Sequence, residues 1–314
     1  MHRLSSLLFG ALAVACAVQP AFAETPKIGL LLKSRSDFWS SVEQGARAAG
    51  EKAGAEIIVK AAQSELDTAV QIQMLYALAN QGAQAIIIAP TNKQALVAPV
   101  AAMVAKGIKI IVIDAPLGGN AGHVVVGTDH KAAGEAAGKL LATLVGDNDQ
   151  VCVLRHMQNN ASTSDRENGA IEQLHAVHPG TTVNNDFYYV IEKGTDPSRA
   201  ALFLEKYPHP KAVLASGTPG TLALCDLLSK RTPPGEIKLV GFGFNLNPTV
   251  ATAIDAGVLH GWIAQLPKEV GAKGVEAALD LLAGKPVPPV IHTDFLVVTK
   301  DNLHDDQVQA LLKL

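Results

Sequence analysis

Several features are scarce in this sequence of 314 residues, and each scarcity excludes a class of protein. Charged residues make up 18% of the chain and the formal net charge is −3, so no basic surface for nucleic acid is expected. The sequence lacks a Gly-x-Ser-x-Gly elbow, a P-loop, a His-Glu-x-x-His motif and a Gly-x-Gly-x-x-Gly turn after its first apolar run. We therefore expect a protein that is not an enzyme and that has no catalytic residues, metal or cofactor.

Cysteine is also scarce, with only three in the chain. Cys152 lies in a predicted strand and Cys225 in a predicted helix, both within apolar patterns. No Cys-x-x-Cys pair or zinc-binding spacing is present. We expect two buried free thiols, although an oxidising compartment would also permit a disulfide between them.

Long apolar runs are absent after the N-terminus, so no membrane-spanning helix is expected. At the N-terminus, Arg3 precedes the apolar stretch 4–18, and Ala21-Phe22-Ala23 forms a cleavage site. This pattern predicts a signal peptide over residues 1–23 and export of the rest. Lipoprotein processing at Cys16 is the alternative, but a strong leucine three residues before it is missing.

The first strong pattern after the signal lies in residues 27–54. The apolar run 28–32 predicts a strand buried on both faces, and an amphipathic helix follows Phe38 and Trp39. Between them, 33–37 is a polar loop with a cation, two hydroxyls and a carboxylate. In doubly wound sheets ligands bind beyond the carboxyl ends of the strands, and this loop lies at such an end.

Strands and helices then alternate without a disordered linker, which predicts βαβ units in two similar α/β halves. The polar run 156–166 is predicted as a loop. The later predicted strands are 57–60, 85–89, 110–114, 123–127, 151–154, 183–189, 212–215, 238–241, 261–265 and 295–299. The predicted helices after the first are 67–81, 96–106, 131–145, 167–177, 196–207, 221–228, 248–256, 270–283 and 305–314.

Several motifs together carry a resemblance to a known family. They are IGLLLK and DFWSSVEQGA within 28–46, IIIAPTNKQALVAPVAAMVAKGIKIIVID at 86–114, VVGTDHKAAGEAAG at 125–138, ASTSDRENG at 161–169, KLVGFG at 238–243 and IAQLPKEVGAKGVEAAL at 263–279. With these, residues 27–300 resemble the ribose-type (type I) periplasmic sugar-binding proteins of ABC importers. The resemblance implies a periplasmic location.

The resemblance also implies a fold of two doubly wound parallel-sheet lobes joined by a three-segment hinge. The hinge crossings are expected near Thr128-Asp129, Gln265 and Asp294. The N-terminal lobe is then 24–128 plus 265–293, and the C-terminal lobe 129–264 plus 294–314. Closure of the lobes about a ligand is the motion expected of such proteins.

The motif matches imply roles for five side chains. Phe38 and Trp39 match an aromatic pair that stacks on sugar rings, although a hydrophobic staple at the helix start is the alternative. Asp114 matches an acceptor of sugar hydroxyls, and Arg166 an arginine that forks over sugar oxygens. Gln265 matches a ligand contact and could equally be a hinge hydrogen bond.

Four positions depart from the ribose-binding pattern. Ala89, Ala115, Gly217-Thr218 and Gly243 stand where that pattern has polar sugar contacts. We therefore do not expect ribose itself, and we expect a less polar and roomier pocket on that side. The candidates to fill it are Phe244, Asn245 and Trp262, each being as readily core or surface. Thr218 is itself kept as a candidate ligand-binding residue.

Three more side chains complete the candidate site. Lys33 and Asp165 fall at positions that are lysine and acidic in the autoinducer-2 receptor branch of the superfamily, and Ser36 adds a loop hydroxyl. Lys33 is equally readable as a solvated lysine at a strand end. His156, His175 and His178 are interpreted as surface residues.

The expected function is that of a periplasmic solute-binding protein. It would capture a sugar, polyol or furanose derivative and deliver it to the membrane permease of an ABC importer, acting as a monomer. A receptor that passes the same signal to a sensor kinase or chemoreceptor is the alternative. Acid–base chemistry by Asp114 with Asp165 is the weakest reading.

Overall fold

A computed structural model describes residues 25–119, 124–158, 160–191, 194–231, 233 and 235–312. The predicted signal peptide, residues 1–23, lies outside the described residues. Within those ranges, no helix combines the length and the apolar character that crossing a membrane requires.

The described chain alternates strands with helices along most of its length. The strands are β1 (Lys27–Leu32), β2 (Glu56–Ala61), β3 (Ala85–Ile88), β4 (Lys109–Ile113), β5 (Val124–Thr128), β6 (Gln150–Met157), β7 (Thr182–Ile191), β8 (Gly194–Thr195), β9 (Ala212–Ala215), β10 (Lys238–Gly243), β11 (Leu259–Gln265), β12 (Val290–Thr293) and β13 (Phe295–Val298). The helices are α1 (Asp37–Ala53), α2 (Thr68–Asn80), α3 (Val97–Ala105), α4 (His130–Leu144), α5 (Ala161–Val177), α6 (Ser198–Lys206), α7 (Thr218–Ser229), α8 (Pro248–Asp255), α9 (Pro267–Leu282) and α10 (Asp306–Leu312).

The strands form two sheets. The first has the order β12-β5-β4-β3-β1-β2, and all its pairings are parallel. The second has the order β13-β11-β10-β9-β6-β7-β8, with β13 and β8 antiparallel to their neighbours. The predicted fold class, two doubly wound parallel sheets, is confirmed.

Each sheet is covered by helices on both faces, as its continuous apolar strands require. In the first sheet, β3 is buried along its whole length. Helices α1 and α9 pack on one face, and they approach closely because Gly45 and Gly271 lie at their contact. A Cβ built on Gly45 would lie 1.9 Å from the carbonyl oxygen of Lys268.

The chain passes between the two sheets three times. It leaves β5 of the first sheet at Thr128 and returns after β11, at Gln265, to place α9 under the first sheet. It crosses again between Thr293, the end of β12, and Phe295, the start of β13. The Thr128 and Thr293 hydroxyls, 3.3 Å apart, join the two crossing strands.

The start of one helix differs from the sequence prediction in a way that matters for the site. Helix α5 begins at Ala161 rather than at 167, because the Asn160 side chain caps it by accepting the backbone N–H of Thr163. Arg166 therefore stands on a helix and not on a loop. The prediction also missed β12, a short strand whose residues are mostly exposed.

The two thiols are as expected from their apolar surroundings. Cys152 in β6 and Cys225 in α7 are buried and unpaired. Burial raises the pKa of Cys152 to about 11 and that of Cys225 to about 12. Both are therefore protonated, unreactive core residues at neutral pH.

Candidate ligand-binding cavity between the sheets

A cavity of about 470 Å³ lies where the carboxyl ends of both sets of strands meet. The first sheet contributes the loops after β1 and β2 and Asp114, which follows β4. The second sheet contributes the ends of β6, β7 and β11, the loop after β10 and the start of α7. This is the place where doubly wound sheets bind ligands.

A buried ion pair forms the floor of the cavity on the first sheet. Lys33 Nζ donates to Asp114 Oδ2 at 2.6 Å, and only 5% and 8% of these side chains are exposed. Burial is the largest single effect and disfavours both charges, but the attraction within the pair, together with His130 acting on Asp114 and Glu65 acting on Lys33, outweighs it. The pKa of Asp114 is therefore lowered and that of Lys33 is raised. Both groups therefore stay charged, and Lys33 is not a solvated strand-end lysine.

Asp114 is held in a strained backbone conformation. Its φ is 68°, and it is the single non-glycine residue with a positive φ among the residues that the structure describes. Aspartate tolerates this left-handed conformation better than most residues. Strain of this kind is typically kept at functional sites, where surrounding contacts enforce it.

His130 connects Asp114 to Arg166. Its Nε2 lies 3.0 Å from the carbonyl oxygen of Asp114, and the Arg166 Nε and Nη2 atoms lie 3.3 and 3.2 Å from its Nδ1. Because guanidinium can only donate, Nδ1 accepts and Nε2 carries the proton. Burial and then the Arg166 charge lower the pKa of His130, so the ring is neutral.

Arg166 is buried with its planar group fixed on two further sides. Nη1 donates to the carbonyl oxygen of Ser216 at 3.1 Å, and the guanidinium stacks 5.1 Å from the centroid of Phe242. Burial lowers the pKa of Arg166 to about 10, which leaves it charged at neutral pH. The arrangement presents a rigid cationic donor to the cavity.

Three aromatic rings form one cluster in the cavity wall. Phe38 lies edge-to-face with Trp39, at a centroid distance of 4.9 Å, and with Phe244 of the second sheet, at 5.4 Å. Trp39 is only 3% exposed, belongs to the core under the first sheet and donates from Nε1 to Glu65 at 3.0 Å. Trp39 is therefore both a core residue and a wall residue, and Phe38 offers the more accessible ring.

The wall on the second sheet holds buried polar side chains, among them Asn245 and Gln265. The backbone carbonyl of Asn245 accepts a hydrogen bond from Trp262 Nε1 at 3.1 Å, which fixes the loop after β10. The Asn245 side-chain Oδ1 is buried and has no hydrogen-bond partner. An unpaired buried acceptor is costly, so a cavity wall that keeps one is suited to a polar ligand.

His156 corrects the expectation of a surface residue. It is the next-to-last residue of β6 and lines the cavity, and its Nδ1 is buried without a partner. Its backbone N–H donates to Ser216 Oγ at 2.9 Å, and that hydroxyl donates to the Glu167 carboxylate at 2.6 Å. Sequence reasoning missed His156 because nothing in its local pattern distinguishes it from an exposed strand-end residue.

Ten of the eleven candidate side chains line this one cavity. They are Lys33, Ser36, Phe38, Trp39, Asp114, Arg166, Thr218, Phe244, Asn245 and Gln265. Asp165 does not line it and is exposed. Adjacent helical residues point in directions about 100° apart, so α5 turns Asp165 away as it turns Arg166 inward. Asp114 and Asp165 therefore form no carboxylate pair.

At two of the positions that depart from the ribose-binding pattern, neighbouring side chains fill the space. A Cβ on Gly243 would lie 1.9 Å from the ring of Trp262, which is fully buried and belongs to the core rather than to the cavity. A Cβ on Gly217 would lie 2.8 Å from His156 Nδ1. The expectation of extra room is wrong at these two positions, because aromatic rings occupy the space.

Glu65 is another cavity residue that sequence reasoning missed. It lies in the loop after β2, and its carboxylate accepts the Trp39 N–H. The only available signal was its place after a strand of the first sheet. Within the described ranges, no group of three or more His, Cys, Asp or Glu side chains could hold a metal ion.

Two covered sheets, three crossings and a polar cavity between the strand ends define the class of two-lobed ligand-binding proteins. The sequence profile described as periplasmic binding protein domain matches residues 28–286, and the chain belongs to this family. The predicted resemblance to its ribose-type members is confirmed.

Curated relatives cover nearly the whole chain. The D-ribose/D-allose-binding protein of Pseudomonas aeruginosa is 26% identical over 303 residues, 91% of this chain and 94% of its own. The ribose import binding protein of Escherichia coli is 26% identical over 306 residues, 96% of this chain and 99% of its own.

Solved structures show the same architecture. A carbohydrate transporter solute-binding protein from Agrobacterium radiobacter, in complex with D-arabinose, matches with a TM-score of 0.84 and 26% identity over 92% of this chain and 99% of its own. A solute-binding protein from Agrobacterium vitis, bound to α-D-tagatopyranose, matches with a TM-score of 0.82 and 27% identity over 92% and 100%.

Proposed function

We propose that this protein is a periplasmic solute-binding protein that captures a small hydroxylated ligand, such as a sugar, polyol or furanose derivative. It would deliver the ligand to the membrane permease of an ABC importer. The carrying observation is a cavity between the sheets whose wall keeps the buried Asn245 Oδ1 and His156 Nδ1 without protein partners. Hydroxyl groups can both donate and accept, so they suit such a wall.

The charged residues at the floor would orient an uncharged ligand. Lys33 already donates a hydrogen bond to Asp114 Oδ2, so Asp114 would accept hydrogen bonds from ligand hydroxyls with its remaining lone pairs. Arg166 would donate to ring and hydroxyl oxygens, and Phe38 would pack on the apolar C–H face of the sugar. Gln265 and Asn245 would complete the hydrogen bonds from the second sheet.

Lobe closure would enclose the ligand. We assign 24–128 plus 265–293 to the N-terminal lobe and 129–264 plus 294–314 to the C-terminal lobe, with the three crossings as the hinge. The contact between Phe38 and Phe244 joins rings from the two sheets and supports this arrangement. The protein would act as a monomer, which size-exclusion chromatography with light scattering tests: a stable dimer contradicts it.

Export would depend on residues 1–23. The positive residue, the apolar stretch and the Ala21-Phe22-Ala23 site support cleavage after Ala23. N-terminal sequencing of the exported protein is expected to begin at Glu24. A lipid-modified N-terminal Cys16 would contradict this.

A receptor function is the second candidate, because Lys33 and Asp165 fall at positions that are lysine and acidic in the autoinducer-2 receptor branch. Of the two, Lys33 lines the cavity, paired with Asp114. The same cavity would then bind a furanosyl signal for a sensor or chemoreceptor. An autoinducer-2-like furanose therefore belongs among the ligands tested. We do not propose a catalytic function. Recovery of chemically altered ligand after incubation with the protein would contradict this view.

A thermal-shift screen against sugars, polyols and furanoses tests the binding function. A ligand present at about 100 times its dissociation constant adds about 2.7 kcal/mol of stability, which raises the unfolding temperature measurably. We expect at least one uncharged hydroxylated ligand to do so. A screen in which none of these ligands raises the unfolding temperature would contradict the proposal.

A further inference from the structure

The sheet topology divides the cavity into two ends. The crossings lie beside β5, β12, β11 and β13, which are at one side of both sheets. The strands β2 and β7 lie toward the other side of their sheets, with β6 next to β7. The cavity therefore has an end near the crossings and an end far from them.

The two ends differ in chemistry. Near the crossings the cavity is lined by polar groups, including Asp114, Asn245 and Gln265. The far end is also lined by the polar loop residues Gln63, Ser64 and Glu65, but it brings four apolar side chains together with His156, and we call these five residues the distal subsite. Its members are Leu66, His156, Met157, Val190 and Leu222.

Leu66 is an exposed apolar side chain held on a fixed turn. It is 45% exposed, and its backbone N–H donates to Ser64 Oγ at 3.2 Å. The neighbouring Glu65 carboxylate is tied to Trp39, which anchors the loop to the core. The Leu66 side chain lines the cavity, so its exposed apolar surface is available to a group of the ligand.

Across the cavity, the second sheet supplies the matching apolar surface. Met157 and Val190 are paired neighbours at the ends of β6 and β7, and both are half-buried. Leu222 of α7 is also half-buried and packs against the core behind it. These side chains are therefore fixed in place without a ligand, as the walls of a pre-formed pocket are.

His156 supplies the polar contact in this subsite. The absence of a side chain at Gly217 leaves room for its ring, and Nδ1 has no protein partner. Burial is the main cause that lowers the pKa of His156. Glu65 and Asp114 raise this pKa and Arg166 and Lys33 lower it, and the net shift is downward. A neutral imidazole suits an uncharged ligand group.

The size of the cavity agrees with a ligand of two parts. Its volume of about 470 Å³ falls in the range of pockets that hold drug-sized molecules. A cavity in this range has room for a sugar that carries a substituent.

We propose that the distal subsite binds an uncharged, largely apolar substituent carried by the sugar, such as the aglycone of a glycoside. The inference rests on the proposed function, because the sugar itself would occupy the polar end. The ligand class is then a substituted sugar in preference to the free one. An anionic substituent is disfavoured, because the neutral His156 offers it no charge.

Calorimetric titration of matched ligands tests this inference. The panel contains D-ribose, D-allose, D-arabinose and D-tagatose. Each sugar is compared with the α and β anomers of its phenyl glycoside and with its benzyl ether at the terminal hydroxymethyl group. At least one substituted sugar is expected to bind about tenfold more tightly than its parent, the effect of covering roughly 55 Å² of apolar surface.

Leu66→Ser is the informative variant, because it removes apolar surface from an exposed loop without opening the core. It is expected to reduce the advantage of the substituted sugar about threefold and to leave binding of the parent unchanged. Leu202→Ser is the matched control: Leu202 is 46% exposed on α6 and lies outside the cavity. Leu202→Ser should change neither the affinity for the parent sugar nor the affinity for the substituted sugar.

The outcomes separate this inference from the proposed function. If a parent sugar binds and no substituted sugar binds more tightly, the subsite is excluded while the binding function stands. An advantage that Leu66→Ser leaves unchanged also excludes it. If neither parents nor substituted sugars bind, the proposed function and the subsite both fail.

Discussion

At the scale of single residues, the Lys33–Asp114 pair is the most informative contact. Two opposite charges lie 2.6 Å apart in a site where both side chains are nearly closed to water. Taking charges out of water is expensive, and only close pairing compensates for it. The pair therefore sets the charge balance of the cavity floor and leaves it suited to an uncharged ligand.

Breaking this pair is expected to destabilise the fold. Asp114→Asn keeps a side chain that tolerates the positive φ but leaves Lys33 buried and unpaired. We expect the free energy of unfolding in urea to fall by about 3–5 kcal/mol. The double variant Lys33→Met/Asp114→Asn is expected to recover much of this loss, and equal losses in the single and double variants would contradict the account.

The same pair predicts a pH dependence. The folded-state pKa of Asp114 is lowered from its ordinary 3.8. Its contribution to stability is therefore present above about pH 3.8 and lost as the pH falls toward the folded-state pKa. Unfolding measured between pH 2 and 6 should show this loss in the wild type, and a loss of the same size in the double variant would argue against it.

At the scale of elements, the start of α5 determines how Arg166 meets the cavity. The Asn160 cap begins the helix at Ala161, so the first two turns carry Arg166 inward and Asp165 outward. Asn160 also lines the cavity. The geometry of the cationic donor thus depends on one capping side chain.

Asn160→Ala is expected to affect both stability and binding. Loss of the cap should cost about 1 kcal/mol in urea unfolding, and the loosened first turn should weaken ligand affinity several-fold. Asp196→Ala is the control, because Asp196 accepts the N–H of Ser198 at the start of α6, outside the cavity. A similar loss of affinity in both variants would contradict a positioning role for Asn160.

Most elements could be predicted from the sequence, because apolar runs and amphipathic spacing alternate clearly along the chain. The start of α5 could not, since its polar first turns look like a loop and the cap is a single side chain. The side chains that occupy the space beside Gly217 and Gly243 could not be predicted either. His156 and Trp262 fill those spaces from neighbouring strands, and only the register of β6 and β11 brings them there.

At the scale of the whole molecule, the two sheets and their crossings bring distant stretches to one cavity. Lys33 and Gln265 are separated by most of the chain, yet both line it. The motifs could predict this grouping only through the family resemblance, because no local pattern encodes contacts between sheets. The interior of the cavity, with its unpartnered Asn245 and His156 atoms, emerges only from the assembled structure.

The central claim is that this cavity binds an uncharged sugar or sugar derivative. Its most direct test is calorimetric titration of the tightest ligand from the thermal-shift screen into the wild type, Arg166→Ala and the exposed-site control Arg47→Ala. The account predicts one-to-one binding in the wild type and control, and at least tenfold weaker binding in a folded Arg166→Ala. Equal affinity in all three proteins would contradict it.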